Sequence, residues 1–231
     1  MERAGDNDPV VLLHGQPGSG KEWRRVIDAL GPSVVALAPD RPGYGNNPLP
    51  AGGLAANVRW LGRHLDGGPG PALIVGHSWA GSVALSLALA RPELTRGLVL
   101  VGSVGPGAIT WVDRALAHPA VGSVADRWGA RVGRRPARRA PAALLAFLTE
   151  QTSLVRDLPA VLDALERITT PATVIAGTRD RVVPPATARR LAERLPNAEL
   201  VSVAGGHQLH RTHPRLVAGV IRRALAQSTP R

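Results

Sequence analysis

A serine stands where a predicted strand meets a predicted helix, within a run of small residues. The run is Gly76-His77-Ser78-Trp79-Ala80-Gly81, and it follows the apolar residues 72–75. On such a sharp turn the hydroxyl projects out of the sheet, and small neighbours relieve the crowding of the backbone. The helix N-terminus adds positive potential beneath the hydroxyl. The pattern predicts a nucleophile at Ser78. Four neighbours are predicted to support the turn: Gly76, His77, Ala80 and Gly81.

A serine nucleophile needs a base that takes its proton, and the base needs an acid that orients it. Asp180 follows the predicted strand 173–176, and His207 follows the predicted strand 199–203 on a glycine-containing loop. The carboxyl ends of parallel strands meet at one edge of a sheet, where the active sites of such sheets lie. The sequence therefore predicts His207 as the general base and Asp180 as the acid that orients it.

Acyl transfer creates an oxyanion, which two backbone N–H groups can stabilise. Trp79, the residue after the predicted nucleophile, is expected to supply one of them. The loop after the first predicted strand is expected to supply the other from Gln16, because the next residue is a proline and has no N–H. Gly15 is expected to let this loop turn closely. His14, like His77, is interpreted as a structural residue that hydrogen-bonds its loop.

Nucleotide binding is an alternative for this loop, because Gly15 and Gly20-Lys21 have the spacing of a phosphate-binding P-loop between a strand and a helix. The next residue in a P-loop is Ser or Thr, which binds Mg²⁺. Here it is Glu22, whose negative charge repels phosphate. We therefore rank a nucleotide-binding protein far below a hydrolase.

A metal site is a second alternative, because His210 and His213 follow His207 at three-residue steps. The proline at position 214 and the start of a helix there favour a loop or helix-start role for these two histidines, and no glutamate completes a zinc-protease pattern. No metal and no cofactor are predicted. The other acids and histidines are weaker candidates for the catalytic roles: Asp157, Asp163, His64 and His118.

The elements that must position these residues alternate along the chain. Short apolar runs predict strands at 10–14, 34–38, 72–75, 97–101, 173–176 and 199–203. Helical periodicity and helix-end signals predict helices at 22–30, 54–65, 79–90, 186–195 and 214–226. Continuous apolar strands separated by helices indicate a parallel sheet covered on both faces. The predicted fold class is α/β, a doubly wound, mostly or wholly parallel sheet of about six strands.

The stretch 108–170 breaks this alternation, because it has no convincing strand pattern. Its helical pieces are predicted at 110–117, 123–132, 141–150 and 153–167. We interpret it as a helical cap inserted into a core made of residues 1–107 and 171–231. Its larger apolar residues are expected to pack on the sheet, with one or two of them touching substrate: Trp111, Trp128, Leu144, Leu145, Phe147 and Leu148.

The composition narrows the function classes. The 231 residues include no cysteine, which excludes disulfides and a thiolate nucleophile. The 28 basic and 17 acidic residues give a net charge of +11. The densest basic run, Arg131–Arg139, has no interleaved aromatic residue, so a solvated helical face is preferred to a nucleic-acid site. No apolar run approaches the length of a membrane span and no signal-peptide pattern is present, so we expect a cytoplasmic protein. We expect it to be a monomer or a homodimer.

Five stretches of the sequence, taken together and in their order along the chain, resemble the α/β-hydrolase superfamily. The resemblance extends from residue 9 to about residue 225. The matching stretches are 14–19, 40–45, 76–81, 177–184 and 206–207. The resemblance implies a triad of Ser78, Asp180 and His207, a cap after the sixth strand, and no cofactor. Members usually have two strands before the one that leads into the His-Gly loop, whereas only nine residues precede that strand here, so we expect a shortened sheet. Gln16 replaces the aromatic residue of many relatives, which changes the pocket wall.

The function that follows is hydrolysis of a small carboxylic ester through an acyl-enzyme. The same residues leave open a cofactor-free haloperoxidase-like perhydrolase, a lactonase, a thioesterase and a carbon–carbon bond hydrolase. The serine at position 78 argues against haloalkane dehalogenation and epoxide hydrolysis, since these members of the family use aspartate at the elbow. An intact set of catalytic residue types argues against a non-catalytic binding protein.

Overall fold

The computed structural model describes residues 9–68, 70–118 and 139–228. In these ranges a single sheet runs in the order β2-β1-β3-β4-β5-β6, and every neighbouring pair of strands is parallel. The strands are β1 (Val10–Leu13), β2 (Ala36–Leu37), β3 (Ala72–His77), β4 (Thr95–Val101), β5 (Ala172–Gly177) and β6 (Ala198–Val203). The predicted fold class, a parallel α/β sheet of six strands, is confirmed.

The helices of the described residues alternate with these strands. They are α1 (Arg24–Leu30), α2 (Leu54–Asp66), α3 (Trp79–Ala90), α4 (Trp111–Leu116), α5 (Arg139–Asp163), α6 (Pro185–Arg194), α7 (Leu209–Thr212) and α8 (Pro214–Ser228). Short 3₁₀ turns lie at Gly20–Trp23, Pro92–Leu94 and Leu165–Arg167. None of the described helices combines the length and the apolarity that crossing a membrane requires.

Two apolar layers sandwich the sheet, because successive side chains of a strand point to opposite faces. Along β1, Val10 and Leu12 pack in the layer formed with α1 and α8. Val11 and Leu13 pack in the layer formed with α2, α3 and α6. All four residues of β1 are buried. Burial on both faces explains why the central strands are continuous apolar runs in the sequence.

The edge strand β2 is shorter than predicted: residues 34–38 were expected, and Ala36–Leu37 pair with β1. At the edge of a sheet only one neighbour supplies hydrogen bonds, and the outward side chains of Val35 and Leu37 remain 43% and 37% exposed. Apolar composition alone therefore overestimated the length of this strand.

The helix α5 is one continuous element where two pieces, 141–150 and 153–167, were predicted. The polar residues at the predicted break lie within the helix, and their hydroxyls have hydrogen-bond partners. Thr152 donates its hydroxyl to the Leu148 carbonyl, at 2.9 Å, and Ser153 donates to Asp157, at 2.6 Å. The Ser153 hydroxyl also accepts from the backbone N–H of Leu54, at 2.7 Å, which joins α5 to the start of α2.

The helices α4 and α5 lie between β4 and β5, within the predicted cap 108–170. Leu148 is buried, whereas Trp111 and Leu144 are 79% and 47% exposed. The predicted helical piece 123–132, Trp128 and the arginine run up to position 138 lie outside the described residues. The division into a core of 1–107 and 171–231 with a separate cap stays a prediction.

Candidate active site

The turn between β3 and α3 holds Ser78 in a conformation that L-residues rarely adopt. Its φ is 54° and its ψ is −122°, and it is the one non-glycine residue with positive φ among the described residues. Such a backbone costs about 1–3 kcal/mol and persists when the surroundings impose it. Here the close packing of the turn imposes it: a Cβ on Gly76 would lie 2.7 Å from the Ala80 carbonyl oxygen, and one on Gly81 would lie 1.8 Å from Ser103 Oγ.

Ser78, His207 and Asp180 meet at the carboxyl edge of the sheet. Ser78 Oγ lies 3.0 Å from His207 Nε2, and His207 Nδ1 lies 2.8 Å from Asp180 Oδ2. Because the Asp180 carboxylate only accepts, Nδ1 carries a proton, which leaves Nε2 as the nitrogen that can accept one from the serine. This is the arrangement that a nucleophile, a base and an orienting acid require. The structure thus brings together all three residues predicted from separate strand ends.

The Asp180 carboxylate is itself held by the backbone. Its Oδ1 accepts hydrogen bonds from the N–H groups of Val182 and Val183, at 2.8 and 2.9 Å. The other carboxylate oxygen is thereby left for the histidine. The loops after β5 and β6 are joined directly, since the Arg179 N–H donates to the Gly205 carbonyl, at 2.9 Å. That contact sets the separation of the acid from His207.

The two predicted oxyanion donors come from the start of α3 and from the loop after β1. Trp79 is the first residue of α3, and the N–H groups of a first helical turn have no partner inside the helix. The Gln16 N–H and the Trp79 N–H donate to no other described residue. The Gln16 loop abuts the elbow, because a Cβ on Gly15 would lie 3.1 Å from Ser78 Cβ. Two N–H groups next to the serine hydroxyl could both contact an oxyanion formed there.

His14 makes hydrogen bonds within the loop that carries Gln16, which is the structural role that the sequence interpretation gave it. Its Nδ1 donates to the Gly15 carbonyl, at 2.8 Å, and its Nε2 accepts from the Arg41 N–H, at 3.0 Å. Burial and the neighbouring Arg41 guanidinium lower the pKa of His14 to about 3. The ring is therefore neutral near pH 7, which allows one nitrogen to donate and the other to accept.

A buried ion pair that the sequence interpretation missed stands next to this loop. Arg41 forms a salt bridge with Glu150 of α5, and both side chains are fully buried. The Arg41 guanidinium also donates to the carbonyls of His14 and Gly15, at 2.8 and 2.9 Å. One buried cation therefore supports the loop that carries Gln16. Arg41 stands within the stretch 40–45 that contributes to the family resemblance, but a single arginine there does not reveal that its partner lies 109 positions later.

Two aromatic residues complete the surroundings of this ion pair. Tyr44 donates its hydroxyl to Glu150, at 2.7 Å, and the Arg41 guanidinium carbon lies 5.0 Å from the centre of the Tyr44 ring. Trp79 donates its indole N–H to the Glu150 carbonyl, at 3.2 Å, and its ring centre is 4.6 Å from the same guanidinium carbon. Burial raises the pKa of Glu150, and burial together with Glu150 raises the pKa of Tyr44. The Arg41 cluster (Arg41, Tyr44, Trp79 and Glu150) is thus densely paired.

The Gln16 side chain starts a polar chain into the predicted cap. Its amide donates to Gln151, at 2.6 Å, and the Gln151 amide donates to Asp113 of α4, at 2.6 Å. Asp113 in turn forms a capping box with Thr110 at the start of α4. The loop after β1 is thus linked through α5 to α4. Nothing in the sequence pattern indicated this link, because the three residues come from distant segments.

Two of the weaker sequence candidates, Asp157 and His64, have partners outside the Ser78 group. Asp157 pairs with Ser153 and Arg156 on α5, and the His64 ring stacks on Trp60 at 6.0 Å on α2.

His77 donates its Nε2–H to the His207 carbonyl, at 3.2 Å, which connects the elbow to the histidine loop. Burial lowers the pKa of His77 well below its usual range, so the ring is neutral.

Known proteins match the chain over most of its length. A family model described as the alpha/beta hydrolase family matches residues 10–220. A pimeloyl-[acyl-carrier protein] methyl ester esterase from Aeromonas hydrophila is 28% identical over 96% of this chain and 96% of the esterase. A soluble epoxide hydrolase from Corynebacterium sp. is 40% identical over 46% of this chain, and the match spans 38% of that enzyme's length. The crystal structure of the haloalkane dehalogenase DbeA from Bradyrhizobium elkani has a TM-score of 0.75 at 24% identity, covering 96% of this chain and 91% of the dehalogenase, which is a likeness of fold.

Proposed function

The chain belongs to the alpha/beta hydrolase family, and within that family we propose that it is a serine hydrolase that cleaves a small carboxylic ester through an acyl-enzyme. The observation that carries the proposal is the pair of hydrogen bonds that links Ser78 Oγ to His207 Nε2, at 3.0 Å, and His207 Nδ1 to Asp180, at 2.8 Å. A serine hydroxyl is a weak nucleophile unless an adjacent base takes its proton, and this geometry supplies the base.

Acylation begins when Ser78 Oγ attacks the ester carbonyl carbon and its proton passes to His207 Nε2. The carbonyl oxygen becomes an oxyanion, for which the N–H groups of Gln16 and Trp79 are the proposed donors. The C–O bond to the alcohol then breaks, and His207 gives its proton to the leaving alkoxide. Asp180 stabilises the imidazolium in between and keeps the proton on Nδ1.

Deacylation repeats these steps with water. His207 Nε2 takes a proton from a water molecule, whose oxygen attacks the acyl carbon of the Ser78 ester. The second oxyanion collapses, the acid leaves, and the proton returns from His207 to Ser78 Oγ. The reaction needs no redox partner, and all proton transfers occur at these two side chains.

Two observations favour an ester among the reactions of this family. The Aeromonas hydrophila relative, whose name describes methyl ester hydrolysis, aligns over 96% of both chains. The residue at the elbow is a serine, whereas dehalogenases and epoxide hydrolases of the family use aspartate there. A perhydrolase, a lactonase, a thioesterase and a carbon–carbon bond hydrolase would use the same three residues, so an acyl-chain and leaving-group panel separates them.

The first test is covalent labelling together with turnover of p-nitrophenyl acetate and butyrate. We expect a fluorophosphonate to label Ser78, and Ser78→Ala to lose the label and about 10⁶-fold in kcat. Ser82→Ala is the matched control, because Ser82 lies one turn further along α3 and only donates to the Trp79 carbonyl, at 2.6 Å. Labelling of another residue, or unchanged turnover in Ser78→Ala, contradicts the proposal.

A further inference from the structure

A second group of polar side chains lies next to the elbow and takes no part in the proposed hydrolysis. Glu22, His77 and His210 each offer one ligand atom, and these atoms lie within 4.8 Å of one another. His210 Nε2 is 3.5 Å from Glu22 Oε2, and the centres of the two imidazole rings are 4.3 Å apart. We call this group the Glu22 cluster. Its members come from the loop after β1, the end of β3 and the helix α7.

The ring nitrogens of this cluster are buried without hydrogen-bond partners. His210 is 0% exposed, and neither of its nitrogens makes a hydrogen bond to a described residue. His77 is 2% exposed, and its Nδ1 is likewise unpartnered. Buried side-chain nitrogens nearly always have a partner in proteins. Each of the two rings can offer one lone pair from an unpartnered nitrogen, and these lie beside a carboxylate, which points to a ligand that accepts electron pairs.

The tautomer of His77 fits that interpretation. Its Nε2 lies 3.2 Å from the His207 carbonyl, which only accepts, so Nε2 carries the proton and Nδ1 has a lone pair. Metal-bound histidines characteristically donate their other ring N–H to a backbone carbonyl or a carboxylate in this way. A Cβ on Gly15 would lie 2.8 Å from Nδ1, so glycine at that position leaves space beside the nitrogen.

We propose that Glu22, His77 and His210 bind a divalent metal ion of the zinc class. Two imidazoles and one carboxylate form a ligand set that suits Zn²⁺, Co²⁺ and Ni²⁺, whereas Mg²⁺ and Ca²⁺ prefer sites made of oxygen atoms. His210 Nε2 and Glu22 Oε2 are 3.5 Å apart, close to the separation of two ligand atoms on one tetrahedral zinc ion, and the Glu22 side chain, which is 23% exposed, has room to adjust.

The cleft beside the cluster gives the ion a route to solvent, and the charges that line the cleft affect how tightly the ion binds. Glu22 lines this cleft together with Lys21, Arg24, Arg25 and Arg211. Four cationic side chains oppose the approach of a cation, so we expect weaker binding than at a closed four-ligand site. The same charges favour an anion or a hydroxide as the fourth ligand of the bound ion.

Bound metal would tie together the segments that position His207. The ligands join the loop after β1, the elbow and α7, and α7 begins two residues after His207. His77 would connect the ion to the His207 carbonyl through its Nε2–H. The site is independent of the proposed hydrolysis, because none of its three ligands transfers a proton in that mechanism.

The test uses the full chain, stripped of metal with a chelator and titrated with Zn²⁺ against a chromogenic competitor. We expect one tight equivalent, and a thermal midpoint that rises by about 5–10 °C at about 100 times the Kd. Co²⁺ should give the visible absorption of a four- or five-coordinate site. Glu22→Gln and His210→Gln should each weaken Zn²⁺ binding by at least about 10- to 100-fold.

The matched control is His64→Gln, which removes an exposed imidazole stacked on Trp60 and should leave both readouts unchanged. Glu22→Gln keeps the test decisive if His210→Gln does not fold, because Glu22 is partly exposed and the change is isosteric. Equal Zn²⁺ affinity in the wild type and in Glu22→Gln, or no tight equivalent in the wild type, overturns the proposal and leaves ordered water as the partner of these nitrogens.

Discussion

The Ser78–His207–Asp180 group and the Arg41 cluster both adjoin the turn between β3 and α3, but different physics holds each of them. The first group stands at the ends of strands of one sheet, and its hydrogen bonds are 2.8 and 3.0 Å long between partly accessible atoms. The second is a fully buried ion pair of Arg41 and Glu150, packed between two aromatic rings. The first is the proposed proton-transfer group, and the second supports the loop that carries Gln16.

This difference predicts which property, the catalytic rate or the stability, changes first when a residue of each group is replaced. Removing a proton-transfer residue at a strand end leaves the sheet intact, so the rate falls while the fold remains. Removing one partner of a buried ion pair leaves an uncompensated charge in the interior, which costs about 3–5 kcal/mol of unfolding free energy. A natural domain has about 5–15 kcal/mol in total. The Arg41 cluster is thus expected to control stability first and rate second.

The largest effect that separates the two regions is expected for Asp180→Asn. The asparagine can keep its Oδ1 on the N–H groups of Val182 and Val183, so folding should change little. Its amide would donate to His207 Nδ1 and move the ring proton to Nε2, which then cannot accept from Ser78. We expect kcat to fall by about 10⁴, as in other triads, with the urea midpoint nearly unchanged.

Asp157→Asn on α5 is the control for this prediction, since that carboxyl bonds Ser153 and Arg156 rather than a histidine. It should retain kcat. A wild-type rate in Asp180→Asn, measured on the same ester, would mean that another group orients His207.

The next largest effect concerns stability, in a double-mutant cycle on Arg41→Met and Glu150→Gln. Each single variant should lose about 3–5 kcal/mol of unfolding free energy, because the remaining partner stays buried. The double variant should be more stable than the sum of the two losses predicts, since it buries no unpaired charge. Urea unfolding measures all four proteins, at low temperature if the single variants are marginal.

The exposed pair of Arg91 and Asp66 provides the comparison cycle, since these side chains are 40% and 47% exposed and 2.8 Å apart. Exposed ion pairs contribute about 0–1 kcal/mol. Equal coupling energies in the two cycles would mean that the buried pair stabilises the fold no more than the surface pair does.

The smallest effect is a pH dependence that His14 contributes to the same support. Its pKa is about 3 in the folded chain and 6.5 in its ordinary state. Between these values the unfolded state binds more protons, so this stability is complete above pH 6.5 and is lost as the pH falls toward 3. The slope is at most about 1.4 kcal/mol per pH unit. Unfolding free energies at pH 7, 5.5 and 4.5 should fall less steeply in His14→Gln.

His64→Gln should retain the wild-type slope, because its imidazole is exposed on α2. If His14→Gln and the wild type lose stability in parallel between pH 6.5 and 4.5, the buried ring is not neutral as described. His77, whose pKa is also lowered by burial, would add to the slope in both proteins.

Elements with strong local signals were predicted closely. The helix α3 spans Trp79–Ala90 in both the sequence interpretation and the structure, because the elbow starts it and Arg91-Pro92 ends it. The edge strand β2 and the continuous helix α5 were predicted less well. The strand β2 pairs with one neighbour and is short, and α5 continues through its polar stretch, where the hydroxyls of Thr152 and Ser153 are hydrogen-bonded.

The sequence by itself determined the parallel α/β fold and the residues that follow each central strand, because strand burial and turn chemistry are local properties written in short runs. Only the tertiary structure decided that Glu150 pairs with Arg41, that Gln151 reaches Gln16, and that His210 meets Glu22 and His77. Gln16 and Gln151 are 135 positions apart in the chain, and Glu22 and His210 are 188 positions apart. No periodicity links such positions, since their proximity depends on how the helices pack over the sheet.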